Sequence, residues 1–149
     1  MSSYVPAELR RFVARRARHV CEYCLIHEDD TFFGCEIEHV ISEKHGGRTV
    51  RSNLAWACAA CNRNKGTDIA SISPVSRALC RLFNPRTDRW SDHLRLRGHH
   101  ILGITEVGKV TVLLLDLNAP DRVLERRMLG AVGRYPGAET LKWMGESQD

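Results

Sequence analysis

The residues from 36 to 47, EIEHVISEKHGG, place carboxylates beside imidazoles within a short apolar run. Glu38 and His39 are neighbours there, and Asn62 follows later in the run CNRNKG. An imidazole titrates near neutral pH and can take a proton from water, whereas carboxylate and amide oxygens are hard ligands suited to Mg²⁺ or Mn²⁺. Such a set could hydrolyse a phosphate ester, because a cation offsets the negative charge that grows on the phosphate oxygens.

Four of the six cysteines form two C-x2-C pairs, CEYC and CAAC, separated by 33 residues. The pairs are Cys21 with Cys24 and Cys58 with Cys61. Two such pairs supply the four soft ligands of a closed tetrahedral zinc site, which is structural because no coordination position stays open. Small buried cysteines without a metal are the less favoured alternative. Cys35 and Cys80 have no such spacing and are interpreted as core residues or free thiols.

A β-hairpin that leads into a helix is the structure the intervening pattern predicts. Val40 and Ile41 continue an apolar, β-prone run, Gly46-Gly47 indicates a turn, and residues 48–50 could start the return strand. A helix would then begin at the second cysteine pair. Neighbouring residues of a strand point to opposite faces, so a distortion or a strand end is needed if Glu38 and His39 are to share one site. Glu36 is an alternative ligand, or a solvent-facing neighbour.

The three runs IEHVISEKHGG, SNLAWAC and CNRNKG resemble the motif of HNH endonucleases. The resemblance covers roughly residues 8–67. It implies an α+β protein with a ββα-metal core stapled by the four-cysteine zinc site, followed by an α/β C-terminal extension. The chain has Glu38 where many family members have Asp, and Asn62 where the motif's name has its last His.

The resemblance also implies a role for each matched residue. His39 would be the general base, and Glu38 with Asn62 would hold a catalytic divalent cation, Mg or Mn. Asn53 would brace the loop of the site. The structural zinc ion would be a second, separate metal.

Basic residues of the N-terminal segment and of the run CNRNKG are candidate nucleic-acid contacts. Apolar residues recur at helical spacing from Leu9 to Val20, and most arginines of this segment lie off that stripe. A net charge of +4 permits binding to a polyanion, although a solvated helix face is the alternative. The candidates for phosphate contact are Arg10, Arg11, Arg15, Arg18, Arg63 and Lys65.

Residues 68–149 are expected to pack on the core, so that 1–149 form one domain with a nuclease core at 8–67. Ser73-Pro74 predicts the start of a helix that continues to Phe83. Residues 94–105 are predicted to be strand with a glycine break, 106–109 a turn, and 110–117 a buried helix or strand. A further helix is predicted to open at Asn118 and Pro120.

These patterns predict a metal-dependent HNH endonuclease that hydrolyses phosphodiester bonds of DNA, with double-stranded DNA as the default substrate. The longest apolar stretch, 110–115, is too short to span a bilayer, so a cytoplasmic protein without membrane contact is expected. Since no separate DNA-reading motif is present, specificity would come from a partner or a homodimer. The alternatives are a zinc-stabilised nucleic-acid-binding module without catalysis and a zinc-held protein-interaction domain.

Overall fold

The computed structural model describes residues 4–143, with the backbone alone for residue 143. The fold is α+β, as predicted, with six helices and three two-stranded antiparallel sheets in that part of the chain. The helices are α1 Ala7–Arg16, α2 Ala59–Lys65, α3 Trp90–His93, α4 Glu106–Leu114, α5 Pro120–Ala131 and α6 Ala138–Trp143. The strands are β1 Cys35–His39, β2 Leu54–Cys58, β3 Ala70–Ile72, β4 Leu79–Arg81, β5 Leu94–Arg97 and β6 His100–Gly103.

The predicted hairpin and helix are present as β1, β2 and α2. The register pairs Ile37 with Trp56 and His39 with Leu54. The return strand begins at Leu54, so the expectation that residues 48–50 start it is wrong. Those residues lead instead into a 3-10 turn at Arg51–Asn53.

Both faces of this hairpin are covered, each by a different part of the chain. Leu54 and Trp56 on one face form a cluster with α1 residues, and Ile37 packs against that cluster. Ala55 and Ala57 on the other face belong to the larger core that contains the four paired cysteines. Because side chains alternate along a strand, His39 lies on the α1 face, whereas Glu36 and Glu38 lie on the α2 face.

The predicted N-terminal helix is present but shorter than its apolar pattern. It ends at Arg16, and the backbone of Arg18 and His19 then adopts positive φ angles of 56° and 62°. Arg16 holds α1 against the hairpin, because its guanidinium donates to the carbonyls of Arg51 at 2.9 Å and Leu54 at 2.6 Å. Burial, followed by the charge of Arg86, lowers the pKa of Arg16 to about 10.

Residues 73–83 do not form the predicted helix but part of a hairpin between β3 and β4. The Ser73 hydroxyl accepts hydrogen bonds from the backbone N–H groups of Val75 and Ser76, at 3.0 and 3.2 Å. These are the bonds of an N-cap, yet Arg77 follows with a φ of 65°, which a helix does not allow. The Ser-Pro signal therefore specified a turn.

The predicted turn at 106–109 is also wrong, because α4 begins at Glu106. The hydroxyl of Thr105 accepts from the Gly108 backbone N–H at 3.1 Å, a standard N-cap. The segment 110–117, which the sequence left open as helix or strand, is mostly helical because α4 continues to Leu114. The strand pair of 94–105 and the helix that opens at Pro120 are present as β5, β6 and α5.

Residues after position 68 pack closely on the region of the first cysteine pair. The Trp90 indole donates to the Tyr23 carbonyl at 3.0 Å, and Arg86 forms a buried ion pair with Glu22. One hydrophobic cluster contains residues from both segments. Residues 1–3 and 144–149 of the predicted single domain lie outside the described residues. Among the helices described, none has the length and apolar character needed to cross a membrane.

Candidate functional site

The four paired cysteines meet in one buried cluster. The Sγ atoms of Cys21, Cys24, Cys58 and Cys61 all lie within 4.8 Å of one another, and those of Cys24 and Cys58 are 3.7 Å apart. A tetrahedral zinc ion with Zn–S bonds of about 2.3 Å would set its sulfurs about 3.8 Å apart. The residues therefore fit a closed zinc site in ligand type, number and spacing.

The thiols perturb one another strongly. Burial and hydrogen bonds from the neighbouring thiols raise the pKa of Cys21, whereas a hydrogen bond from Cys21 is the main cause that lowers the pKa of Cys58. Four buried sulfurs cannot all be thiolates without positive charge among them. A divalent cation would supply that charge and stabilise the fold at the same time.

Arg122 of α5 adds a cation beside this cluster. Its Nη2 atom lies 3.0 Å from the Sγ atom of Cys24 and 3.4 Å from that of Cys58, and its Nη1 atom donates to Glu125 at 2.7 Å. Burial lowers the pKa of Arg122, but the charges of Cys24 and the other thiolates outweigh it and raise that pKa above its ordinary value. The C-terminal extension therefore touches the cysteine cluster directly, and no sequence signal indicated this contact.

His39 lies at the end of β1, with 14% of its side chain exposed. Its Nε2 atom is 2.9 Å from the Thr49 hydroxyl and 3.8 Å from a carboxylate oxygen of Glu43. The ring is thus held from the loop that follows β1 and stays within reach of water. Thr49 was not among the predicted site residues.

Asn53 ties the two ends of that loop together. Its amide oxygen accepts from the Ile41 N–H, and its amide nitrogen donates to the carbonyls of Ile41 and Arg48, each at 2.9 Å. A Cβ atom at Gly47 would lie 1.6 Å from the Ile41 carbonyl oxygen, so only glycine permits this closure. The geometry is that of a brace, which is the role the sequence suggested for Asn53.

Glu38, the predicted ligand of the catalytic cation, is buried and engaged by two other side chains. It is 3% exposed, and its two carboxylate oxygens accept from the Tyr23 hydroxyl at 2.7 Å and the Lys65 ammonium at 2.5 Å. Burial raises the pKa of Glu38, while the Lys65 charge acts in the opposite direction. Glu38 and His39 occupy opposite faces of β1, and His39 is the last residue of that strand.

Asn62 meets Glu36 rather than Glu38. The Asn62 amide donates to a carboxylate oxygen of the exposed Glu36 at 2.9 Å. Glu38 and Asn62 therefore have different hydrogen-bond partners, Lys65 and Glu36. Among the described residues, the four cysteines are the one group of three or more His, Cys, Asp or Glu side chains with ligand atoms close enough for a metal.

The predicted basic contacts divide into exposed residues and one buried residue. Lys65 is 1% exposed and donates to the Val40 carbonyl at 2.9 Å as well as to Glu38, so its role is structural rather than the predicted phosphate contact. The remaining candidates are exposed: Arg10, Arg11, Arg15, Arg18 and Arg63.

Residues 21–68 match the family model described as HNH endonuclease. The chain carries an HNH domain. This domain begins at the first cysteine pair and ends just after α2, so it contains His39, Asn53 and Asn62 together with all four clustered cysteines. The family resemblance and the α+β fold with a cysteine cluster are thereby confirmed.

The comparison with characterised proteins extends beyond the HNH domain. A Septu protein PtuB from Bacillus thuringiensis is 30% identical over 129 residues, which are 85% of this chain and 48% of that protein. The chain thus spans about half the length of the relative. No solved structure gives a significant match.

Proposed function

We propose that the HNH domain hydrolyses phosphodiester bonds in DNA, with double-stranded DNA as its substrate and His39 as general base. The observation that carries the proposal is the position of His39. It lies within the matched segment, it ends β1, and its ring is held at Nε2 beside a braced loop. A positioned imidazole that water can reach is what deprotonation of an attacking water requires.

The surroundings of His39 define how a proton would move. In the tautomer that we propose, Nε2–H donates to the Thr49 hydroxyl, so that Nδ1 keeps its lone pair and takes the proton from water. Glu43, 3.8 Å from Nε2, stabilises the imidazolium that results. Thr49 is thus a positioning residue, because its hydroxyl holds the ring at Nε2. That hydroxyl can donate or accept, so the nearby Glu43 carboxylate is the group that favours a proton on Nε2.

Two metals accompany this proposal, zinc at the four cysteines and Mg or Mn for catalysis. Zinc fits its residues by spacing and chemistry, and it would hold α2 to the first cysteine pair. A catalytic cation would supply charge stabilisation to the phosphate oxygens. The predicted ligands Glu38 and Asn62 do not fit it as arranged, because Lys65 already neutralises Glu38. The exposed Glu36 and the half-buried Asn62 offer the remaining oxygen atoms for a cation.

The biological setting is proposed from the relative. We propose that this chain serves in a Septu system as the PtuB relative does, and that a partner protein or a second copy of the chain supplies specificity. The HNH domain has no separate element for reading a base sequence within the described residues. Cytoplasmic location is part of the same proposal.

A supercoiled-plasmid assay tests the activity. Wild-type protein and His39→Ala are incubated with Mg²⁺, Mn²⁺ or EDTA, and relaxed and linear products are quantified. We expect metal-dependent cleavage by the wild type and its loss in His39→Ala, with DNA binding and thermal stability unchanged. Equal cleavage by the two proteins would exclude His39 as the base.

A nucleic-acid-binding module without catalysis is the second candidate, and one observation favours it. The carboxylate expected to bind the catalytic cation is engaged by an ammonium group in a buried pair. Under this alternative the wild type binds DNA with zinc in place but cleaves under none of the metal conditions. The plasmid assay and a binding measurement on the same preparation separate the two functions.

A further inference from the structure

A basic cavity lies at the N-terminal helix, outside the residues that surround His39. It has a volume of about 510 Å³ and is bordered by α1 and by the 3-10 turn that precedes β2. Its charged lining consists of Arg11, Arg15 and Arg51, with Glu8 as the opposing carboxylate. Three guanidinium groups against one carboxylate give the lining a net positive charge, which favours an anion.

Arg51 is held in this cavity before any ligand arrives. Its guanidinium carbon lies 3.9 Å from the centre of the Phe12 ring, a cation–π contact, and its carbonyl accepts a hydrogen bond from Arg16 at 2.9 Å. Such restraint lowers the conformational entropy that binding would remove. Arg51 nevertheless stays exposed, so its N–H groups remain open to a ligand.

The cavity lies on the same side of the hairpin as His39. Its helix, α1, packs on the face formed by Leu54, Trp56 and Ile37, and strand alternation puts His39 on that face. Arg51 belongs to the same short turn as Asn53, which braces the loop after His39. Arg51 therefore lies two residues from the side chain that braces the loop of the proposed base.

We propose that Arg11, Arg15 and Arg51 form a binding site for backbone phosphates of DNA and position the duplex at His39. Planar guanidinium groups bind phosphate oxygens through paired N–H donors. This assignment deepens the proposed function and rests on it. It adds Arg51, which the sequence patterns did not single out, and assigns Arg11 and Arg15 to one cavity rather than to a general basic surface.

The test measures DNA binding separately from cleavage. Every variant carries His39→Ala, so that the duplex stays intact, and binding of a short fluorescein-labelled duplex is followed by anisotropy from about 50 to about 200 mM salt. Arg51→Gln and Arg15→Gln are compared with Arg127→Gln, which removes an exposed arginine of α5 far along the chain from the cavity. Thermal melting checks that each variant folds.

Each cavity variant should bind about threefold to tenfold more weakly at low salt. The slope of log K against log salt should become shallower by about 0.9 for each phosphate that the variant no longer neutralises. Arg127→Gln should match the parent in both quantities. Folded Arg51→Gln and Arg15→Gln proteins with the parent's affinity and slope would overturn the assignment.

The plasmid assay and the binding measurement together distinguish failure of the nuclease proposal from failure of the phosphate-site proposal. If wild-type protein leaves plasmid uncut while the cavity variants bind more weakly and with a shallower slope, the phosphate site stands and hydrolysis does not. If plasmid is cut and the variants bind as the parent does, the phosphate site is refuted and hydrolysis stands.

Discussion

At the scale of single residues, the molecule separates the two neighbours Glu38 and His39. Strand alternation sends Glu38 into a buried pair with Lys65 and His39 toward Thr49 on the other face. Chemistry at His39 then depends on the loop between β1 and β2, whereas Glu38 contributes to the packing of α2. The two residues should therefore respond differently to substitution.

Thr49→Val removes the hydroxyl that holds the His39 ring while keeping the side chain's shape. We expect kcat for plasmid cleavage to fall roughly 10- to 100-fold with little change in KM, because the base loses its orientation but the DNA contacts persist. Thr49→Ser restores the hydroxyl and should recover most of the rate. A rate unaffected by Thr49→Val would show that the ring is oriented by other groups.

Glu36→Gln and Glu38→Gln form a matched pair on one strand. Glu38→Gln leaves the Lys65 ammonium buried without its carboxylate and should lower the free energy of unfolding by about 3–5 kcal/mol. Glu36→Gln changes an exposed group and should leave stability within about 0.5 kcal/mol of the wild type.

Cation dependence of cleavage distinguishes the two carboxylates further. If Glu36 is a cation ligand, Glu36→Gln raises the Mn²⁺ concentration needed for half-maximal cleavage without lowering the melting temperature. An unchanged Mn²⁺ requirement in Glu36→Gln would leave Glu38 as the predicted ligand, after displacement of Lys65. Urea unfolding and a Mn²⁺ titration of the same two variants provide both readouts.

At the scale of elements, residue types and spacing predicted the elements that depend on short-range sequence patterns. The cysteine pairs, the hairpin and α2 followed from motif order and β-prone runs, and Asn53 was assigned a bracing role from the motif. The elements that were predicted wrongly depended on the conformation of turns. Ser73-Pro74 offers the same hydroxyl acceptor to a turn as to a helix, and the positive φ at Arg77 has no strong sequence signal.

Contacts between elements far apart in the chain could not be predicted, because local sequence does not show which elements pack together. Nothing local to Arg122 shows that α5 will place it against Cys24 and Cys58, nor do the residues around Arg86 show its pairing with Glu22. The pattern at Lys65, a basic residue in the last run of the motif, equally fits solvent, phosphate or a buried carboxylate. Only the packing of α2 on β1 decides among these.

Arg122→Met tests whether α5 supports the cysteine cluster. Methionine keeps apolar bulk but removes the charge that faces the thiolates, so a zinc-loaded protein should release zinc to a competing chelator about tenfold more readily. Arg127→Met, on the exposed side of α5, is the control and should retain zinc as the wild type does. Equal release from both variants would mean that the Arg122 contact does not stabilise the metal. The readout is zinc release, independent of DNA cleavage.

At the scale of the whole molecule, one core connects the HNH domain to the extension. Trp90 and Tyr135 of the extension donate to backbone carbonyls of Tyr23 and Cys24, within the first cysteine pair. The extension is thus attached to the region that zinc would organise. This packing supports the prediction that the chain forms a single domain.

Cooperative unfolding would test that organisation. We expect one thermal transition for the zinc-loaded chain, seen at the same temperature by tryptophan fluorescence and by far-ultraviolet circular dichroism. Removal of zinc by a chelator should lower the whole transition, because metal binding contributes folding free energy. Two separated transitions, with only the first sensitive to the chelator, would show that residues 68–149 fold independently of the HNH domain.

The place of Arg122 in the chain sets an order of events during synthesis. All four clustered cysteines have left the ribosome by the time residue 61 emerges, whereas Arg122 follows 61 residues later. At about 5–20 residues per second, that is a delay of roughly 3–12 s. A nascent chain would therefore have time to bind zinc with the cysteines alone, and α5 would dock afterwards onto a closed site. Arg122 would then slow the release of a metal that the extension did not help to bind.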